Sequence, residues 1–188
     1  MRVLITGGAG FIGHNLTLYL AERGFDVTVL DSLERSTGFA LERLRGRGIP
    51  VLEADVRSFN GYKNFDVVVH AAAYVSVPES LERPLDYLDN NALGTARVAY
   101  SCARQGVRLV YLSSAAVYGN PVKLPAQENH PVNPVSPYGL SKWLGNLAVT
   151  LRLRLRPQVR YSEALQCLRA WPEPFLRRRG SQLPREGS

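Results

Sequence analysis

With 188 residues, 45% of them apolar and 21% charged, the chain is sized for one globular core, and its two cysteines, Cys102 and Cys167, exclude a disulfide framework and fit a reducing cytoplasm. No apolar run is long enough to cross a bilayer, and a strand candidate beginning at Arg2 leaves no room for a signal peptide. The net charge of +7 does not make the main body a nucleic-acid binder: residues 1–150 carry 14 Lys and Arg against 13 Asp and Glu, and the excess lies in residues 151–188 without aromatic interleaving.

Arg2–Thr6 is a short apolar run punctuated by glycines from Gly7 to Gly13. A helical pattern follows from Ile12 to Arg23, with Leu16, Tyr19 and Leu20 on one face and Gly24 as the stop. Further buried strands are expected at Asp26–Asp31, Val51–Asp55, Phe65–His70 and Arg108–Ser113, all rich in β-branched residues. Helices are expected at Phe39–Arg47, Pro84–Arg104 and Pro137–Thr150. Strands and helices alternating at this spacing predict a parallel sheet with helices on both faces. The segment from Gly119 to Pro137 contains five prolines and reads as a long loop.

Thr6-Gly7-Gly8-Ala9-Gly10-Phe11-Ile12-Gly13 joins the first strand to the first helix. A glycine turn there lets backbone approach a pyrophosphate, which the helix N-terminus attracts through free N–H groups and its dipole. Gly13 permits close packing of helix on sheet. Asp31, closing the second strand, suits the ribose hydroxyls of an adenosine and repels a 2′-phosphate, so NAD is expected over NADP, with nearby Arg35 as the contrary signal. His70 reads as a buried, hydrogen-bonded core histidine.

Tyr138-Gly-Leu-Ser-Lys142 places a phenol and an ammonium four residues apart on one helical face. Tyrosine is a poor base at its ordinary pKa near 10, and a neighbouring ammonium together with a positive nicotinamide would stabilise its phenolate.

The G-x-x-G-x-x-G spacing of Gly7, Gly10 and Gly13, followed by Tyr138-x-x-x-Lys142, resembles the extended short-chain dehydrogenase family, and within it the NAD-dependent epimerases and dehydratases similar to UDP-glucose 4-epimerase. The resemblance covers residues 1 to about 150. It implies cofactor contacts from Gly7, Gly10, Phe11, Ile12, Gly13, Asp31, Asp55, Val56, Ala71, Ala72, Ala73, Asn91, Tyr138 and Lys142. Ser114, by its place before Val117-Tyr118-Gly119, resembles the family's active-site serine and joins Tyr138 and Lys142 as catalytic. Ser76, Ser114 and Tyr138 are the implied substrate contacts, and no metal is implied. Ala115 and Ala116 stand where the dehydratases carry an acid, which leaves reversible oxidation at one carbon as the leading expectation. The implied partners are a nucleotide sugar and a second copy of the chain. A non-catalytic NAD-binding module and a dehydratase or reductase of the same family remain as alternatives.

The resemblance ends after Trp143-Leu144-Gly145, and residues 151–188 carry 9 Lys and Arg against 3 acids. Residues 165–178 can be back-translated so that the frame one base on reads FNVYGPGQNPSYAG, which resembles the family segment after strand six. The expected organisation is therefore an NAD-binding domain over 1–150 and a basic tail over 151–188, frameshifted or disordered. The expected fold class is α/β, a Rossmann-like doubly wound parallel sheet, truncated and without the C-terminal substrate domain.

Overall fold

In the computed structural model, which describes residues 1–155, the apolar runs form five strands: β1 (Arg2–Thr6), β2 (Asp26–Asp31), β3 (Val51–Glu53), β4 (Val67–His70) and β5 (Arg108–Tyr111). All neighbouring pairs are parallel, in the order β3-β2-β1-β4-β5. The helices are α1 (Phe11–Ala21), α2 (Gly38–Gly46), α3 (Val77–Glu82), α4 (Pro84–Tyr87), α5 (Gly94–Gln105) and α6 (Pro137–Leu155). Short 3-10 turns cover Tyr62–Asn64 and Ala115–Tyr118, and a single π-helical turn covers Leu88–Leu93.

Alternation along the strands divides the core into two layers. Leu4, Leu30, Val68 and Leu109 face one way and pack with Val98 and Cys102 of α5 and Val149 of α6. Val3, Ile5, Val27 and Val69 face the other way, against Leu16 and Leu20 of α1. Val29 joins Leu18 and Leu44 beyond them. Both faces of the sheet are covered, as a parallel sheet requires.

Several elements differ from expectation. The third, fourth and fifth strands are shorter than their apolar runs, because β3 ends before Ala54, β4 starts at Val67, and β5 stops at Tyr111. On α1 the fully buried positions are Gly13, His14, Thr17 and Leu18, while Tyr19 is half exposed and carries the Arg23 guanidinium 3.4 Å above its ring. The single helix expected over Pro84–Arg104 is three pieces, with the π turn between α4 and α5. That wider turn carries a buried Asn91 whose amide bonds the Tyr74 backbone. The sequence reading missed α3, although Ser76-Val-Pro-Glu79 carries its signal: Ser76 accepts from the Glu79 N–H at 3.3 Å, and Pro78 sits in the first turn. Helix α6 runs on to Leu155, past the boundary expected at 150 and 151. The rest of the expected tail, 156–188, lies outside the described residues. Among the described residues no helix is long and apolar enough to cross a membrane.

His70, fully buried at the end of β4, joins three elements. Its Nδ1 lies 2.7 Å from Thr6 Oγ1 on β1, and its Nε2 lies 3.0 Å from Thr95 Oγ1 on α5. Its ring stacks on Tyr111 of β5. Burial, and then the charge of Lys142, lower its pKa from 6.5 to about 3. Below pH 6.5 the unfolded chain therefore binds a proton that the folded chain refuses, and stability falls as pH falls towards 3. We expect His70→Gln, which retains a donor and an acceptor, to flatten the urea-derived stability profile between pH 6 and 4 by about 1.4 kcal/mol per pH unit relative to the parent. An identical slope in both proteins would mean that His70 is protonated in the fold.

Candidate functional site

The glycine turn lies where β1 and β4 end side by side. Gly7 has φ +67°, donates its N–H to the Leu30 carbonyl at 2.8 Å, and touches the end of β4 so closely that a Cβ would sit 2.6 Å from the Ala72 backbone. At Gly13 a Cβ would run into the Gly7 carbonyl and sit 2.6 Å from Gly8 Cα, so α1 can approach the turn only through glycine. No side chain caps α1 at Gly10. The turn therefore leaves the positive end of a helix beside backbone without side chains, a geometry that receives phosphate.

A cleft of about 520 Å³ opens over this turn. Gly7, Gly10, Phe11, Ile12 and Gly13 form its floor, with Asp31 on one wall, Asp55 and Val56 nearby, and Ala71, Ala72, Ala73 and Ser76 across from them. Asp31 does more than the sequence reading assigned to it. Its Oδ2 accepts from the Ala9 N–H and its Oδ1 from the Leu33 N–H, both at 2.9 Å, so it also fixes the turn and the left-handed Leu33. A carboxylate has about four acceptor positions, so capacity remains for ribose hydroxyls. The Asp55 carboxylate is gripped by Arg57 through Nε and Nη2, with a further bond from the Arg57 N–H at 2.7 Å. These bonds hold the Asp55 carboxyl below the usual range, and Arg57 also pairs with Asp89.

Ser32, Ser36, Tyr74, Val75 and Asn90 also line the cleft and were not anticipated. Tyr74 had a usable signal, since it follows the small-residue run at the end of β4. Arg35 lines the cleft with its guanidinium committed, both terminal nitrogens meeting Glu79 at 2.6 and 2.7 Å. Asn91, expected to touch the cofactor, is absent from the lining, and 1% of it is exposed. Its Oδ1 accepts from the Tyr74 N–H at 2.8 Å, and its Nδ2 donates to the Tyr74 carbonyl at 2.9 Å and to Ser141 Oγ at 3.0 Å. Asn91 thus ties the cleft rim to α6.

Ser114, Tyr138 and Lys142 are buried beyond that lining, on elements that pack together. Ser114 begins the Ala115–Tyr118 turn and accepts from the Ala116 N–H at 3.2 Å. Gly139, next to Tyr138, lies so close to this turn that a Cβ would stand 2.6 Å from the Ala116 carbonyl oxygen. The first turn of α6 is thereby pressed against the serine segment. Lys142 donates from Nζ to the Leu112 carbonyl at 2.6 Å and sits 4.5 Å above the Tyr111 ring. Burial draws its pKa down to about 7, while the carbonyl and the ring face favour the ammonium form. The Tyr138 ring meets Tyr87 edge-on at 6.3 Å, and Tyr87 meets Tyr74 at 5.6 Å, so aromatic contacts run from the cleft rim to α6.

The NAD dependent epimerase/dehydratase family model matches residues 3–154. A putative UDP-glucose 4-epimerase of Methanocaldococcus jannaschii is 38% identical over 156 residues, 81% of this chain and 51% of that protein. The UDP-glucose 4-epimerase structure from Stenotrophomonas maltophila, with bound NAD and formylated UDP-arabinopyranose, is similar with a TM-score of 0.79 at 33% identity over 86% of this chain and 51% of that one. TunA, an NAD-dependent NDP-hexosamine 5,6-dehydratase, is similar with a TM-score of 0.78 at 35% identity over 87% of this chain and 53% of that one. The chain spans about half the length of the curated relatives it matches. Spanned almost end to end over its described residues by that match, the chain belongs to the NAD-dependent epimerase/dehydratase family.

Proposed function

We propose that this chain carries the cofactor-binding half and the proton-transfer groups of an NAD-dependent nucleotide-sugar 4-epimerase acting on UDP-glucose and UDP-galactose. The observation that supports the reading is the close packing of the turn that Ser114 begins, at Ala116, on the first turn of α6, at Gly139 beside Tyr138, together with a cleft suited to a dinucleotide. The floor of that cleft has no side chains at Gly7, Gly10 and Gly13, and Asp31 stands at its wall, so the residues present fit NAD. When bound, NAD supplies a reversible hydride acceptor.

The chain's own groups would then do the following work. Tyr138 takes the proton from the sugar hydroxyl as its carbon is oxidised, and returns it on reduction. Lys142, held under the site by the Leu112 carbonyl, stabilises the phenolate through its charge. Ser114 hydrogen-bonds the oxygen that alternates between hydroxyl and ketone. Ala115 and Ala116 offer no acid for expelling water, which supports epimerisation over dehydration. Similarity to a 5,6-dehydratase keeps dehydration as the second reading.

We expect Tyr138→Phe to reduce UDP-galactose conversion about 10²- to 10⁴-fold with NAD affinity nearly unchanged. The assay should use this chain and a form restored to the shifted frame and extended to the length of the matched relatives, with NAD binding measured alongside. We expect the 188-residue form to bind NAD with negligible turnover, since contacts that position a sugar can supply about 7–11 kcal/mol of the barrier. A restored form inactive on every nucleotide sugar tried would remove the epimerase assignment. Loss of hexose epimerisation with release of water would favour the dehydratase.

A homodimer is also proposed, through the exposed apolar face of α6. Leu140, Leu144, Leu147 and Leu151 recur along α6 at helical spacing and stay exposed, beside exposed Leu93. Sedimentation should give a dimer for the parent and a monomer for Leu144→Glu/Leu147→Glu. A parent that stays monomeric at high concentration would remove the proposal.

A further inference from the structure

Arg35 is the one cation among the described residues that line the cleft, and it follows Asp31, the residue suited to the adenosine ribose, by four positions. A guanidinium in this region is the usual means of accepting a 2′-phosphate, so on sequence alone Arg35 and Asp31 give opposite instructions about the cofactor. The structure resolves the conflict. Arg35 Nη1 donates to Glu79 Oε2 at 2.6 Å and Nη2 to Oε1 at 2.7 Å, the two-pronged geometry that fully occupies this side of a guanidinium. Its plane lies 3.7 Å above the Tyr74 ring, which covers a face of the group as well.

Glu79 is in turn held for this task. It sits on α3, whose first turn is fixed by Ser76, and its carboxylate accepts from the Tyr87 hydroxyl at 3.0 Å and from Arg83 Nη1 at 3.4 Å. The bonds from Arg35, and then from Tyr87, draw its pKa down to about 2, so it stays charged throughout the neutral range. A dinucleotide bearing a 2′-phosphate would have to displace an anion that already satisfies Arg35.

We infer that Glu79 is a specificity-determining residue for the cofactor: by occupying the Arg35 fork it keeps the cleft selective for a dinucleotide whose ribose 2′-hydroxyl is free. Its role is to withhold a phosphate-binding group from the cleft, complementing the direct repulsion from Asp31. The inference rests on the dinucleotide reading of the cleft.

The test is calorimetric binding of NAD and NADP to the full chain, with no turnover required. Glu79→Gln keeps the shape of the side chain and removes its charge. It should tighten NADP binding about tenfold, the scale of one charge-assisted bond regained, and leave NAD within about threefold. In Glu79→Gln/Arg35→Met the gain should vanish, because the released guanidinium is its source. Adenosine 2′,5′-bisphosphate, as the isolated adenine-side probe, should follow the NADP pattern. Unchanged NADP affinity in Glu79→Gln would overturn the inference, as would a gain that persists in the double variant. If the parent chain binds neither NAD nor NADP, the dinucleotide reading itself falls; if it binds NAD and the variants do not differ, only the role of Glu79 falls.

Discussion

The structure turns on one close contact, the backbone of Gly7 against the backbone of Ala72. The strand order places β1 beside β4, so the chain leaves β1 towards one side of the sheet and later continues from β4 towards the other. A crevice at such a reversal is where ligands bind in open parallel sheets. The two strand ends come this close because little side-chain bulk stands at the contact: Gly7 after β1, and Ala71 to Ala73 after β4. Below the contact, His70 and Thr6 join the same two strand ends by a buried hydrogen bond. A side chain at Gly7 would push the walls apart and put this bond, and the cleft above it, out of register.

From that contact the site extends in two directions, and the two arms are mechanically connected. One arm is the cleft, with Asp31 as its anchor and the Arg35–Glu79 pair at its rim. The other is the Ser114 turn with the Tyr138–Lys142 face of α6. Asn91 bonds both the N–H and the carbonyl of Tyr74 on the rim, and the Ser141 hydroxyl on α6. Ser141 lies between Tyr138 and Lys142 and donates to the Tyr138 carbonyl at 2.7 Å. A residue outside the cleft lining thus fixes the relative position of the cleft rim and α6. Removing an amide with this many buried partners leaves groups unpaired, at about 1–3 kcal/mol each.

The sheet was legible in the sequence because buried parallel strands are continuous apolar runs, and the glycine turn because its spacing between strand and helix has few other uses. Asp26–Asp31 was placed to the residue. The losses have physical causes. Strand ends depend on pairing: Ala54 and Leu112 still donate to the Asp31 and His70 carbonyls at 3.0 and 3.1 Å, but they are the last to do so and β3 and β5 end before them. The buried face of α1 is set by the close approach at Gly13, which brings Thr17 inward and turns Tyr19 out, against their polarity. Asn91 entered the expected cofactor contacts through the resemblance alone; the fold shows its amide bonded to the Tyr74 backbone and to Ser141. The meaning of Arg35 was similarly closed to the sequence, because its partner lies 44 positions away.

The pairing of charges around the cleft bears on how a dinucleotide would be held there. Arg35 is matched by Glu79, and Arg57, behind the wall, is matched by Asp55 and Asp89. Lys142, bonded to the Leu112 carbonyl and set over the Tyr111 ring, is not among the residues that line the cleft. Among the described residues lining the cleft, no unpaired cation therefore stands ready for a pyrophosphate. The burden falls on the backbone of the glycine turn and on the positive end of α1. Partial charges from oriented amides act at short range, whereas exposed cations act at a distance and are screened by salt. Recognition built this way depends on shape more than on net charge: the phosphates must come within hydrogen-bonding distance of backbone, which the glycines permit, and the ribose must reach Asp31. The near-neutral balance of residues 1–150 is consistent with that design, since the fold concentrates its binding power in geometry and leaves little long-range attraction for other anions.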